Sequence, residues 1–341
     1  MSRIFVCGEG AVSPAGWGMA ALTDALACGR ALPTTELARA GSTPLQIRSV
    51  PTASPRPAFT AHARLRRTSP IAHYAVAAAL EALGPGAAKV ADGSLRLGIV
   101  LCVMTGCVNY SRRFYDETLK DPATASPIIF PETVFNAPSS HLAALLGTTA
   151  INYTLVGDPG TFLQGLALAA DWLLSERVDG CLVVGAEEMD WLTAEAIRLF
   201  DSSGQMSEGA GALYLRRDCE QTRAIQLSEV TDSFLFSNGQ PRSLAAVRAR
   251  NAVRINGPLT LLCDGLQGVP RLDRDEQRAW NDWAGARLSV KRILGEGLMA
   301  AAAWQCVAAV EELRRKKWSA AVINIVGCNQ QAIAAQFVRS E

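Results

Sequence analysis

Short, unbroken apolar runs recur along this chain, and they restrict its fold more than any other feature. Ile4–Cys7, Leu97–Val103, Ile151–Val156, Cys181–Val184, Ala212–Leu215, Ile225–Val230, Leu259–Leu262 and Ala321–Val326 mostly lack the alternation of a half-wet strand. A strand that is apolar at every position is covered on both faces. Between these runs lie Ala/Leu-rich helical stretches, among them Pro70–Leu83, Phe162–Ser175, Leu192–Phe200 and Leu298–Lys317. Strands alternating with helices predict a layered α/β fold. The 341 residues amount to about two domain lengths. The boundary is placed between an N-terminal half, 1–217, and a C-terminal half, 218–341. The Pro/Ser/Thr-rich stretch Ala31–Pro57 and the mixed segment Asp218–Arg254 are predicted to be irregular.

Charge narrows the function classes. Lys plus Arg is 33 and Asp plus Glu is 32, for a formal net charge of +1. That balance supports neither nucleic-acid nor membrane-surface binding. Nine cysteines without a CxxC pair read as reduced thiols of a cytoplasmic protein, with no disulfide framework and no metal site. The most apolar stretch, Gly297–Val310, is too short to cross a membrane, which takes about 20 residues. Arg3 leads straight into a strand, with no signal-peptide pattern.

Three blocks carry a family likeness. Gly8-Glu9-Gly10-Ala11-Val12-Ser13-Pro14-Ala15-Gly16 follows the first strand. Ser126 to Glu187 contains Asn136-Ala137-Pro138-Ser139-Ser140-His141, Ile151-Asn152-Tyr153-Thr154 and Val183-Val184-Gly185-Ala186-Glu187. The third is Met206-Ser207-Glu208-Gly209-Ala210-Gly211-Ala212-Leu213. In order and spacing the chain resembles the β-ketoacyl synthases of the thiolase-like superfamily. The resemblance implies a five-layered αβαβα fold of two similar halves, and no cofactor. It also implies a dimer joined through the strand Asn152, Tyr153, Thr154, Leu155 and Val156. In that family a cysteine follows this strand at the start of a buried helix, where dipole and N–H groups favour the thiolate. Two histidines of the C-terminal half assist decarboxylation.

The same alignment removes that chemistry here. Pro159 stands at the nucleophile, with neither a nucleophilic atom nor a backbone N–H. The family uses that amide as an oxyanion donor, and losing one such donor costs ~10²–10³ in rate. Asp264 takes the place of the first histidine. Lys291 is retained, but Glu296 stands at the second histidine and Gln305 at the carboxylate that pairs with the lysine. The late glycine-rich turn has become Val326-Gly327-Cys328-Asn329-Gln330. All three histidines, His62, His73 and His141, lie in the N-terminal half, and His141 reads as structural.

These departures imply a chain-length-factor type of subunit. Such a chain pairs as a heterodimer with a catalytic β-ketoacyl-ACP synthase in polyketide, polyene or fatty-acid-like biosynthesis. Acyl carrier protein then engages mainly through the partner. Tyr110, Phe114 and Phe135 are candidates to close the partner's acyl tunnel, with core packing as the alternative. Asp264, Glu296 and Lys291 read as a neutralised ion cluster, or as the acid/base set of an independent hydrolase, dehydratase or cyclase. A homodimeric acyl-binding protein is a third reading. Cys102, Cys107, Cys263 and Cys328 read as packing residues. The run Arg314-Arg315-Lys316-Lys317 reads as a solvated helix end or a carrier-docking patch.

Overall fold

The structure, a computed structural model, describes residues 3–39, 41–200, 202–219, 224–237, 239–255, 257, 259–315 and 318–340. Lys316 and Lys317 of the basic run lie outside these residues, as do 220–223 and 238 of the mixed segment. The N-terminal half contains β1 (Ile4–Ser13), β2 (Gly16–Trp17), α1 (Met19–Cys28), β3 (Thr35–Leu37), β4 (Leu45–Ile47), α2 (Pro70–Leu83) and α3 (Gly86–Ala91). It continues with β5 (Leu97–Val103), α4 (Val108–Lys120), α5 (Ala137–Leu146), β6 (Asn152–Val156), α6 (Thr161–Leu174), β7 (Gly180–Glu187), α7 (Trp191–Phe200) and β8 (Gly209–Arg216). The remainder contains β9 (Ile225–Val230), β10 (Phe234–Leu235), α8 (Arg242–Ala252), β11 (Thr260–Asp264), α9 (Pro270–Ala279) and β12 (Arg287–Ser289). It closes with α10 (Val290–Leu294), α11 (Met299–Arg314), β13 (Ala320–Val326) and β14 (Gln331–Arg339).

The strand order β6-β5-β7-β8-β1 recurs as β12-β11-β13-β14-β9. The pairing directions recur too. Reading inward from β6 or from β12, two parallel pairings are followed by two antiparallel ones. Antiparallel pairing of β1 with β9 over Ile4–Val6 joins the two sets.

Alternation along each strand sorts the side chains into layers. Val100 and Cys102 of β5, Ile323 of β13 and Phe337 of β14 all enter one central core with α6 and α11. Ile99 and Leu101 turn the other way, onto α2 and α5. Leu262, Val322 and Ala334 turn outward onto α8 and α9. The result is helices, sheet, helices, sheet, helices. At the middle of this stack α11 lies directly on β7 and β8. A Cβ on Gly185 would come within 2.7 Å of the Met299 carbonyl, and one on Gly211 within 2.8 Å of the Ala303 Cβ.

Several elements differ from expectation. β1 runs on through Gly8 and Gly10 to Ser13, beyond its expected end at Cys7. They are glycine because α2 presses on the strand: a Cβ there would lie 1.9 Å from the Ala82 oxygen and 2.1 Å from the Ala78 oxygen. Ala31–Pro57 is not wholly irregular, since β3 and β4 pair within it. The mixed segment holds β9, β10 and α8. β14 was not expected at all. No helix of the described residues is long and apolar enough to cross a membrane.

Candidate functional site

A cavity of about 400 Å³ opens where the C-terminal ends of β5, β11 and β13 meet the start of α6. Pro159, Lys291 and Glu296 all line it, together with Cys328, Met104 and Leu298. Residues far apart in sequence thus meet, as the family resemblance implied. Lys291 Nζ lies 2.7 Å from Glu296 Oε2, and both side chains are largely buried. Glu296 is saturated: Gln267 Nε2 donates at 3.1 Å and the Leu298 N–H at 2.8 Å.

Asp264 does not join them. It is fully buried and lies off the cavity wall, 3.4 Å from Arg287, accepting the Leu266 N–H at 3.3 Å. Burial holds its carboxyl above the ordinary range, while Ser289, the Leu266 N–H and Arg287 pull it down. On β11 it follows Cys263, which points into the central core, so alternation sends Asp264 outward toward β12.

A different acid takes its place. Glu276 of α9 lines the cavity, where Oε1 accepts the Gly265 N–H at 2.9 Å and Asn324 Nδ2 at 2.8 Å. Desolvation, with Asp264 behind it, pushes this carboxyl up. Sequence reasoning missed Glu276, which sits in a helix rich in charged residues with no motif to single it out.

The nucleophile position is closed by a second residue that the sequence did not flag. Asp158 is buried at the head of α6, and its Oδ1 accepts the Gly160 N–H at 3.0 Å. Its Oδ2 accepts the N–H groups of Gln330 and Gln331 at 3.1 and 3.2 Å. The late turn is therefore tied to the start of α6 by one carboxylate. Gly327 admits this contact, since a Cβ there would lie 1.8 Å from Asp158 Oδ2. Arg242 clamps the other side of the turn, donating to the Gly327, Val326 and Leu272 carbonyls at 3.0, 3.1 and 3.2 Å.

The remaining candidates fall elsewhere. Gln305 is fully buried and donates to the Asn324 carbonyl at 3.2 Å. Cys102 and Cys263 are central-core residues. His141 pairs with Glu132 at 2.8 Å and does not line the cavity. Tyr110 and Phe114 lie on α4, which buries no residue completely. Phe114 stacks near Phe130, with centroids 5.4 Å apart, and the Phe135 ring covers Gly106. β6 is paired only with β5 and forms one edge of the sheet. Along it Tyr153 and Val156 are about half exposed, at 49% and 52%. Asn152 Nδ2 donates to the Ser139 carbonyl, Thr154 Oγ1 meets Ser139 Oγ, and Leu155 packs on the central core.

Comparison with known proteins bears on this arrangement. The family model for the N-terminal domain of β-ketoacyl synthases matches residues 1–220. No curated protein sequence matches the chain. Among solved structures, a chain of the ishigamide ketosynthase/chain length factor superposes with a TM-score of 0.82 at 19% identity, covering 98% of this chain and 99% of that one. A ketosynthase in complex with its chain length factor from Xenorhabdus doucetiae gives 0.79 at 14%, covering 99% and 98%. A type II polyketide acyl-carrier protein in complex with its ketosynthase gives 0.76 at 17%, covering 99% of both.

Proposed function

The chain belongs to the β-ketoacyl synthase family, and from that membership we propose that it is a non-catalytic subunit of a ketosynthase complex. It pairs with an active β-ketoacyl-ACP synthase, completes that partner's acyl tunnel and limits chain length in polyketide, polyene or fatty-acid-like synthesis. Acyl carrier protein serves the complex. One observation carries the reading: the cavity wall at the head of α6 is Pro159, with Asp158 occupying the adjacent N–H donors. Proline offers neither thiol nor hydroxyl at that position to form an acyl-enzyme, and the N–H groups of Gln330 and Gln331 are already filled. The unpaired edge β6, along which Tyr153 and Val156 are about half exposed, supports the pairing with a partner.

The test is acyl loading. Incubated with acyl carrier-protein substrates, the purified chain should show no mass increase that survives denaturation. Pro159→Cys alone should leave condensation undetectable, because no histidine reaches the cavity and Asp158 still fills the turn. A stable acyl adduct on the wild-type chain would sink the proposal. A second reading, an independent enzyme, draws on Glu276, whose Oε2 accepts no hydrogen bond from the described residues. Turnover by a homodimer that Glu276→Gln abolishes would favour it.

A further inference from the structure

All nine cysteines are thiols in this structure. Burial and neighbours sort them. Cys102 lies close to Cys181, and Cys263 close to Cys306, but these four are fully buried in the central core, out of reach of solutes. Cys107 is buried as well, beside the Val134 carbonyl. Cys28 and Cys328 are exposed, and their sulfurs meet Arg30 and Met104, at 3.2 and 3.9 Å. Cys7 and Cys219 differ on both counts: they contact each other, and both are only half-buried.

Strand geometry brings this pair together. β1 bulges at Cys7, for Val6 stands opposite Leu215 of β8 and Gly8 opposite Tyr214. A bulge adds a residue to one strand and re-aims its side chain. The Cys7 sulfur turns back along its strand, 4.0 Å from the Phe5 carbonyl oxygen, toward the end of β8. There Arg216 grips Asp218 with two bonds, at 2.8 and 3.0 Å, and Arg217 pairs with Glu176 at 2.6 Å. The chain leaving β8 thus passes over the bulge, and Cys7 Sγ donates to the Asp218 carbonyl at 3.5 Å. The next residue is Cys219, whose thiol is in hydrogen-bonding contact with that of Cys7. Closing such a contact to an S–S bond of about 2.05 Å takes a movement of about 2 Å, which a segment outside the sheet can make.

We propose that Cys7 and Cys219 form a redox modification site, closed to a disulfide by a hydroperoxide and reopened by a dithiol. The site is independent of the cavity and of any partner subunit. Cys219, on the outer segment, reacts first. Its sulfur attacks one peroxide oxygen: the S–O bond forms, the O–O bond breaks, and the departing hydroxide leaves as water with the thiol proton. The Cys7 sulfur then attacks the Cys219 sulfenic acid, forming the S–S bond and expelling a second water that carries the Cys7 proton. Two thiols give up two electrons, and one hydrogen peroxide becomes two waters. A dithiol reverses the change by exchange and ends as its own disulfide. Burial, and then the Cys219 sulfur beside it, push the Cys7 thiol up. Cys7 therefore stays protonated toward peroxide itself and reacts once its neighbour holds an electrophilic sulfur. Position gives the bond its consequence. Cys7 follows Ile4–Val6, where β1 pairs with β9 to join the two halves, and Cys219 lies on the connection from β8 to β9. The disulfide braces that seam.

The test uses the full chain purified in dithiothreitol. After hydrogen peroxide at about 1 mM, the remaining thiols are alkylated and the chain is mapped by mass spectrometry. The expected product is a peptide pair joining Cys7 to Cys219 that dithiothreitol separates. In Cys7→Ser, dimedone should label Cys219 as its sulfenic acid, while in Cys219→Ser the Cys7 thiol should remain alkylatable. The oxidised wild type should melt at least about 3 °C above the reduced chain, a shift absent from Cys219→Ser. Both thiols still alkylatable in the peroxide-treated wild type, or Cys219 bonded to any cysteine other than Cys7, overturns the proposal. Preferential dimedone labelling of Cys7 across the two variants overturns the order of steps, and a crosslink that leaves the melting temperature unchanged overturns the bracing of the seam.

Discussion

Glu187 and Glu188, at the end of β7, are buried acids with no cation paired to them among the described residues. Glu187 accepts the N–H groups of Met104 and Thr105 and the Thr105 hydroxyl. Glu188 accepts the Ser69 hydroxyl and the N–H groups of Ile71 and Asn109, so it anchors the starts of both α2 and α4. Desolvation outweighs these donors and pushes each carboxyl up to about 7. A raised folded-state value means that the folded chain holds protons the unfolded chain has lost. Stability is therefore greatest below the ordinary carboxyl range and declines as pH rises toward about 7, by ~1–3 kcal/mol per group. Glu188→Gln keeps an acceptor oxygen but cannot ionise. Its melting temperature should fall less than that of wild type between about pH 5 and pH 7.5. Equal pH slopes would contradict the desolvation argument. Gly327→Ala tests the Asp158 tie in the same way. The added Cβ displaces the carboxylate, leaving the Gln330 and Gln331 N–H groups unpaired, and should cost ~1–3 kcal/mol in denaturant titration.

Among elements, α4 carries the clearest functional prediction. Phe114 is only half-buried. Phe114→Ala should therefore cost ~1–2 kcal/mol, below the ~3–5 kcal/mol of a full core position. If the ring closes the partner's tunnel, the variant complex should also release longer acyl products. Shortened stability with unchanged product mass would leave α4 a purely structural helix. What was legible in the sequence follows from the same physics. Leu97–Val103 and Pro70–Leu83 have their predicted bounds, because a continuous apolar run with branched residues and a proline-led alanine face announce themselves locally. β14 did not, since its Ala332, Ala334 and Ala335 have little strand preference and are held by pairing with β13 and β9. At the site, Pro159, Lys291 and Glu296 could be placed because the motifs that flank them still match the family resemblance. Asp158, Glu276 and Arg242 act through backbone groups of distant turns, and no local pattern records such contacts.

For the molecule as a whole, the two halves share a continuous sheet through β1 and β9, and one helical layer serves both. Neither half can bury its central face without the other. Residues 1–217 expressed alone should be insoluble or molten, and the full chain should melt in a single calorimetric transition. Two resolved transitions would show independent domains. At the free edge, Tyr153→Asp should reduce recovery of the ketosynthase complex, because an unpaired charge buried at an interface costs ~2–5 kcal/mol. Normal co-purification would move the interface away from β6. The close seam beneath α11 also bears on how such a chain could arise. Exchanging a cysteine or histidine at the cavity leaves the packing intact, while any side chain at Gly185 or Gly211 would lift α11 off the sheet. Chemistry is thus the part of this architecture most easily shed by drift. A lineage that has lost it can diverge widely at the cavity, yet it stays bound to the glycines that no reaction ever used.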